Sequence, residues 1–215
     1  MSDIMKLKEA TGAGVLDCKK ALDETKGDYD KAVALLREKG KAKALKKGSS
    51  DRVAAEGVIG SYIHMGGKIG VLVEVNCETD FAQKSDHFNE LVKNVAMHIA
   101  AANPKYVNSS EVPAAILESE KEILRKQAIE EGKPAAIAEK MVEGRVKKYY
   151  QDYCLMDQPF VKDGSKTIKD VVNETIAFVG EKITIRRFVR YEMGEGIEKP
   201  TSDFASEVSK TIAAK

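Results

Sequence analysis

The residues of this chain with the readiest chemistry are three histidines and three cysteines. His64, His87 and His98 are potential bases or metal ligands, and Cys18, Cys77 and Cys154 potential nucleophiles or soft ligands. A catalytic dyad also needs a group that orients the base, and a zinc site needs closely spaced ligands. The cysteines stand 59 and 77 positions apart, and neither a His-Glu-x-x-His nor a nucleophile-elbow pattern occurs. His87 and His98 lie 11 positions apart; on one helix that is three turns, near one face but about 16 Å apart. They cannot share a metal. The expectation is surface histidines and semi-buried cysteines, with no metal and no cofactor. The rival is a cysteine enzyme that uses Cys77 or Cys154 with His98.

Phosphate chemistry fares no better. Gly12-x-Gly14 follows a helical pattern rather than a strand, and Asp17 replaces the third glycine of a dinucleotide loop. Gly66-Gly67-Lys68 is followed by Ile69, where a phosphate loop needs Ser or Thr for magnesium. Both read as turn glycines. The four lysines of Lys41–Lys47 lack interleaved aromatics and read as a solvated helix face. One segment stands apart: Asn76-Cys77-Glu78-Thr79-Asp80-Phe81-Ala82 leads polar residues to an aromatic in a strand-to-helix connection. Phe81 either folds back onto the core or stands out as an anchor for a partner, and aromatics dominate interface energetics.

The elements that must position these residues are legible in the pattern. Within 215 residues there is room for one domain plus an appendage or for two small domains. A hydrophobic fraction of 43% suffices for a core, and no apolar run approaches the roughly 20 residues that span a bilayer. Charges nearly cancel, with 35 Lys+Arg against 34 Asp+Glu, so no global field draws the chain to nucleic acid or anionic lipid. Residues 1–50 are nonetheless basic, with 12 Lys/Arg against 8 Asp/Glu. The opening residues resemble neither a secretory nor a transit segment, so a cytoplasmic location is expected.

Residues 1–40 read as a bundle of three short helices, punctuated by Thr11–Gly14 and Lys26-Gly27 and ended by Gly40. A linker is expected over 41–52, helical at most at its start. An α+β core follows over 53–199. In it, residues 58–64 and 69–76 flank a Gly-Gly hairpin, Ser85 opens a helix to about Ala101, and 112–131 and 134–152 form two more helices. Residues near Gln158–Val161 read as irregular, Ile168–Phe178 as a helix, and Lys182–Tyr191 as a third strand. A helical tail is expected over 200–215. Strands and helices segregate, which gives a small antiparallel sheet covered by helices.

Two runs carry a specific resemblance. Thr11-Gly12-Ala13-Gly14-Val15-Leu16-Asp17-Cys18-Lys19-Lys20-Ala21-Leu22 resembles the N-terminal signature of the elongation factor Ts family, and Asn76-Cys77-Glu78-Thr79-Asp80-Phe81 resembles its second signature. Ala96–Ala101, Ile137–Arg145, Gln158–Val161 and Glu192–Glu198 extend the likeness over nearly the whole chain.

The resemblance implies a nucleotide-exchange factor for the GTPase elongation factor Tu, with no chemical step of its own. It implies a head like a ubiquitin-associated domain, docking on the nucleotide-binding domain of the GTPase through Lys8, Val15 and Leu16. The turn of Thr79, Asp80, Phe81 and Ala82 would intrude beside the partner's magnesium; many members carry valine where this chain has Ala82. The hairpin of Tyr62, Ile63 and His64 would reach the partner's C-terminal β-barrel, with His64 as the contact. One core unit instead of two resembles the short form, which implies a homodimer and a complex of two factors with two GTPases, free of nucleic acid and membrane. The alternative is a ubiquitin-associated-type adaptor, although Thr11–Gly14 lacks the apolar loop of such adaptors.

Overall fold

A computed structural model describes residues 2–132 and 134–197. The tail expected over 200–215 lies outside the described residues. The chain opens with α1 (Asp3–Thr11), α2 (Val15–Glu24) and α3 (Tyr29–Gly48). Gly12 ends α1 in the left-handed region, as do Lys26 and Gly27 in the turn after α2. Asp28 caps α3 by accepting the Lys31 amide. Leu7, Cys18, Ala21, Ala32 and Leu36 form the small core of this head.

The expected stop at Gly40 is not there. The third helix runs on to Gly48, through most of the segment expected to be a linker, because its second half has its own burial. Ala44 joins the main core, and Gly40 lies beside Ala177 of a later helix. Tertiary packing overrides the weak helix propensity of glycine at this position.

Strands β1 (Glu56–His64) and β2 (Ile69–Cys77) form the expected hairpin, with Met65, Gly66 and Gly67 at positive φ in its turn. After β2 come the single turn α4 (Asp80–Gln83) and the long α5 (Asp86–Ala102), capped by Ser85, which accepts the Phe88 amide. Helices α6 (Ala114–Glu130) and α7 (Ala135–Tyr153) pack as a helical hairpin pinned by Arg125 and Glu139 at 2.9 Å. Residues expected to be irregular form a short ribbon of β3 (Pro159–Phe160) and β4 (Asp163–Thr167). It precedes α8 (Ile168–Val179), which opens on a capping box between Thr167 and Asp170. Finally β5 (Ile183–Glu192) pairs antiparallel with β2.

The sheet order β1-β2-β5 makes the hairpin's second strand central. Val71, Val73, Val75 and Cys77 of β2 are buried on one face, as the period of two requires. Helix α5 covers that face with Phe88, Leu91, Val92, Val95 and Ile99. Gly60 permits the approach, since a Cβ there would stand 2.2 Å from Val92 Cγ1. The expected α+β architecture is thus observed, with helices on one side of a three-stranded sheet.

Two expectations about single residues fail. His98 is fully buried rather than on the surface, and all three cysteines are buried rather than semi-buried. The apolar stripe of α5 that carries His98 is wider than Phe88, Leu91, Val92, Val95 and Ile99 alone. It also buries Ala96 and Ala100, so His98 faces inward and needs polar partners.

Candidate functional site

The site begins where β2 ends. Cys77 is the last buried residue of the strand, and its thiol donates to the Thr79 carbonyl at 3.2 Å, turning the chain. Thr79 caps α4 by accepting the Ala82 amide. Ala82 is 4% exposed and belongs to the main core, so it supports the turn from beneath and presents no surface. Phe81 points the other way and is 78% exposed. The ring therefore does not fold back onto the core.

Charged groups on several elements hold the turn. The Thr79 hydroxyl donates to Glu181 Oε1 at 2.7 Å and its amide to Oε2 at 3.0 Å. Glu78 accepts the Lys182 amide at 2.8 Å and pairs with Arg52 at 2.9 Å. These contacts, the Lys182 amide first, hold the Glu78 carboxyl below the usual carboxylate range. Lys182 also donates its ammonium to the Ser50 and Arg52 carbonyls, which ties the chain after α3 to the same place. Asp80 pairs with Lys84 at 2.8 Å, which holds its carboxyl low, and the Lys84 ammonium stands 5.7 Å from the Phe81 ring centre.

The head meets this region at the end of α8. Gly12 sits against the ring of Phe178, which stacks on His87 with ring centres 4.5 Å apart. The Lys47 ammonium donates to the Gly180 carbonyl. Val15 and Leu16 follow the seated loop directly and are exposed, as is Lys8. The segment 178–182 therefore brings the head loop and the Thr79–Phe81 turn to one end of the molecule. His64 does not join them. It lies at the hairpin end of β1, beyond the nine residues of β2, or about 27 Å away at roughly 3.4 Å per residue. It is exposed, stacks on Tyr62, and its Nδ1 shares a hydrogen bond with that phenol at 3.0 Å.

The histidine and cysteine chemistry is accounted for elsewhere. His98 contacts Gln158 Oε1 through Nε2 at 3.0 Å, and Nδ1 accepts the Val161 amide at 3.3 Å, which assigns the proton to Nε2. Burial holds its pKa below the ordinary imidazole value. Burial also raises the Cys77 thiol, and pushes the Cys154 thiol up to about 11, the opposite of what a nucleophile needs. Among the described residues no three His, Cys, Asp or Glu side chains gather as metal ligands, and no helix is long and apolar enough to cross a membrane.

The model of the elongation factor TS family matches residues 4–196. The chain belongs to the elongation factor Ts family. It is 59% identical to the elongation factor Ts of Desulforamulus reducens over 213 residues, 99% of this chain and 97% of that one. It is 59% identical to that of Syntrophomonas wolfei over 209 residues, 97% of each chain, and 57% identical to that of Acetivibrio thermocellus over 209 residues. For this member of the elongation factor Ts family the supports Arg52, Glu181 and Lys182 were not legible as part of the site. They lie 26 to 104 positions from their partners Glu78 and Thr79, and only the fold joins them.

Proposed function

We propose that the chain is a guanine-nucleotide exchange factor for elongation factor Tu, and that Phe81 is its wedge. The observation that carries the proposal is the exposed phenylalanine on a turn fixed from both sides. Burying such a ring in a partner contributes roughly 1.5–3 kcal/mol. Magnesium keeps a rigid, water-rich octahedral shell that tolerates little displacement. A wedge in the structure beside it dislodges the metal and loosens the phosphate side of GDP. Lys8, Val15 and Leu16 dock the head on the nucleotide-binding domain, Thr79 and Asp80 shape the wedge, and His64 contacts the C-terminal domain. Ala82 acts from within, as the floor of the wedge.

The factor performs no covalent step. If it weakens nucleotide binding by some ratio, nucleotide weakens the factor by the same ratio, so GTP displaces it. The outer sheet face supports a homodimer and a complex of two factors with two GTPases. Ile59, Ile63, Leu72, Val189 and Tyr191 are exposed there, an apolar surface of the kind that marks an interaction site. No nucleic acid or membrane is required by this reading.

The test is release of a fluorescent GDP from purified elongation factor Tu. Catalytic amounts of the protein should accelerate release by at least about tenfold at millimolar magnesium. Release at the spontaneous rate would reject the assignment. Sedimentation at micromolar concentration tests the dimer, and a monomer would remove it.

A further inference from the structure

We propose that Glu181 is a positioning residue for the wedge, and that it keeps Phe81 turned outward; this rests on the exchange reading above. An exposed phenylalanine beside an apolar core gains by folding back onto it, so something must hold it out. Thr79, two residues before Phe81, has two hydrogen-bond donors, and both go to the one carboxylate of Glu181, at 2.7 and 3.0 Å. Bonds to an ionised acceptor are about twice as strong as neutral ones, and a two-point contact fixes orientation as well as distance.

The carboxylate is itself fixed. Glu181 follows Gly180, which ends α8 in the left-handed region with its amide on the Ile176 carbonyl at 2.8 Å. The Gly180 carbonyl takes the Lys47 ammonium from α3, and the next residue, Lys182, gives its amide to Glu78. One turn earlier Phe178 seats Gly12 of the head. Five consecutive residues thus set both the head loop and the wedge, so their separation is built into the fold before the partner arrives.

This predicts a division of labour that a merely stabilising residue would not give. The head and the hairpin supply affinity; Glu181 acts on the orientation of the wedge. In the GDP-release assay, Glu181→Ala should lower the rate at saturating factor by about tenfold, the worth of a hydrogen bond to a charged acceptor. The half-saturating concentration should stay within about twofold. Glu181→Gln keeps one acceptor and should return to within about threefold of wild type. Thr79→Val, near in shape and lacking only the hydroxyl, should fall between and covers the case in which Glu181→Ala does not fold. Amide hydrogen exchange on the free protein should show lost protection at residues 79–82 in Glu181→Ala, with β2 unchanged. An unaltered saturating rate in these variants, a loss confined to half-saturation, or intact protection at 79–82 would overturn the proposal. A wild-type protein that fails to release GDP would reject the exchange reading instead, and hydrogen exchange would still decide whether Glu181 fixes the turn.

Discussion

The ring of Phe178 occupies the space a side chain on Gly12 would need: a Cβ on Gly12 would lie 2.0 Å from Phe178 Cδ1. Gly12 also holds a φ of +67° as the C-cap of α1, so the contact and the backbone both demand glycine. The seat of the head on the core depends on this pair. Gly12→Ala should destabilise the protein by roughly 1–3 kcal/mol, from overpacking plus strain, and speed proteolysis between head and core. A denaturation midpoint equal to wild type would show the contact to be dispensable.

Gly40 should behave in the opposite way. It sits inside α3 with φ outside the positive region, and a Cβ there would make an ordinary contact at 3.7 Å with Ala177. Gly40→Ala should stabilise the protein by roughly 0.5–1 kcal/mol through the unfolded chain and helix propensity. Urea denaturation measures it, and a loss of stability would mean that α3 does not run continuously from head to core.

Acid should loosen the site before it unfolds the core. The ordinary value for Glu78 is 4.5, and in the fold the Lys182 amide and Arg52 hold it lower. The stability this contributes is present above about pH 4.5 and is lost as pH falls through the folded value. Glu78→Gln imitates the protonated form. The variant should be less stable than wild type at pH 7, and the gap between the two midpoints should narrow as pH falls below about 4.5. A difference that stays constant from pH 7 to 3 would contradict the pairing.

Leu16 separates binding from stability. It is 74% exposed on the first turn of α2, so Leu16→Ala should change stability by less than about 0.5 kcal/mol. Affinity for nucleotide-free elongation factor Tu, by titration calorimetry, should fall at least about fivefold if Leu16 anchors the head. Unchanged affinity would remove it from the interface.

Local signals exposed much of the fold to a reading of the sequence. The cap at Ser85 and the Gly-Gly hairpin each act within a few residues, and each stands where its spacing places it. Gly40 misled because propensity is a weak local force, and its helix is held by α8, well over a hundred positions later. His98 misled for a related reason: its burial depends on Gln158, 60 positions away, which supplies the polar contact that burial requires. At the site, Thr79, Asp80 and Phe81 were visible as a polar run ending in an aromatic. The direction of the ring and the identity of its supports were not, because Glu181 meets Thr79 across 102 positions.

The account turns on the Phe81 ring, and the most direct measurement is stopped-flow release of fluorescent GDP from elongation factor Tu with saturating wild type and Phe81→Ala, across a range of free magnesium. Phe81 is too exposed for its loss to unfold the protein. The variant should still bind but release GDP at least about tenfold more slowly at millimolar magnesium, and on the proposed mechanism the gap should narrow as magnesium is withdrawn. Equal rates for the two proteins at every magnesium concentration would contradict it.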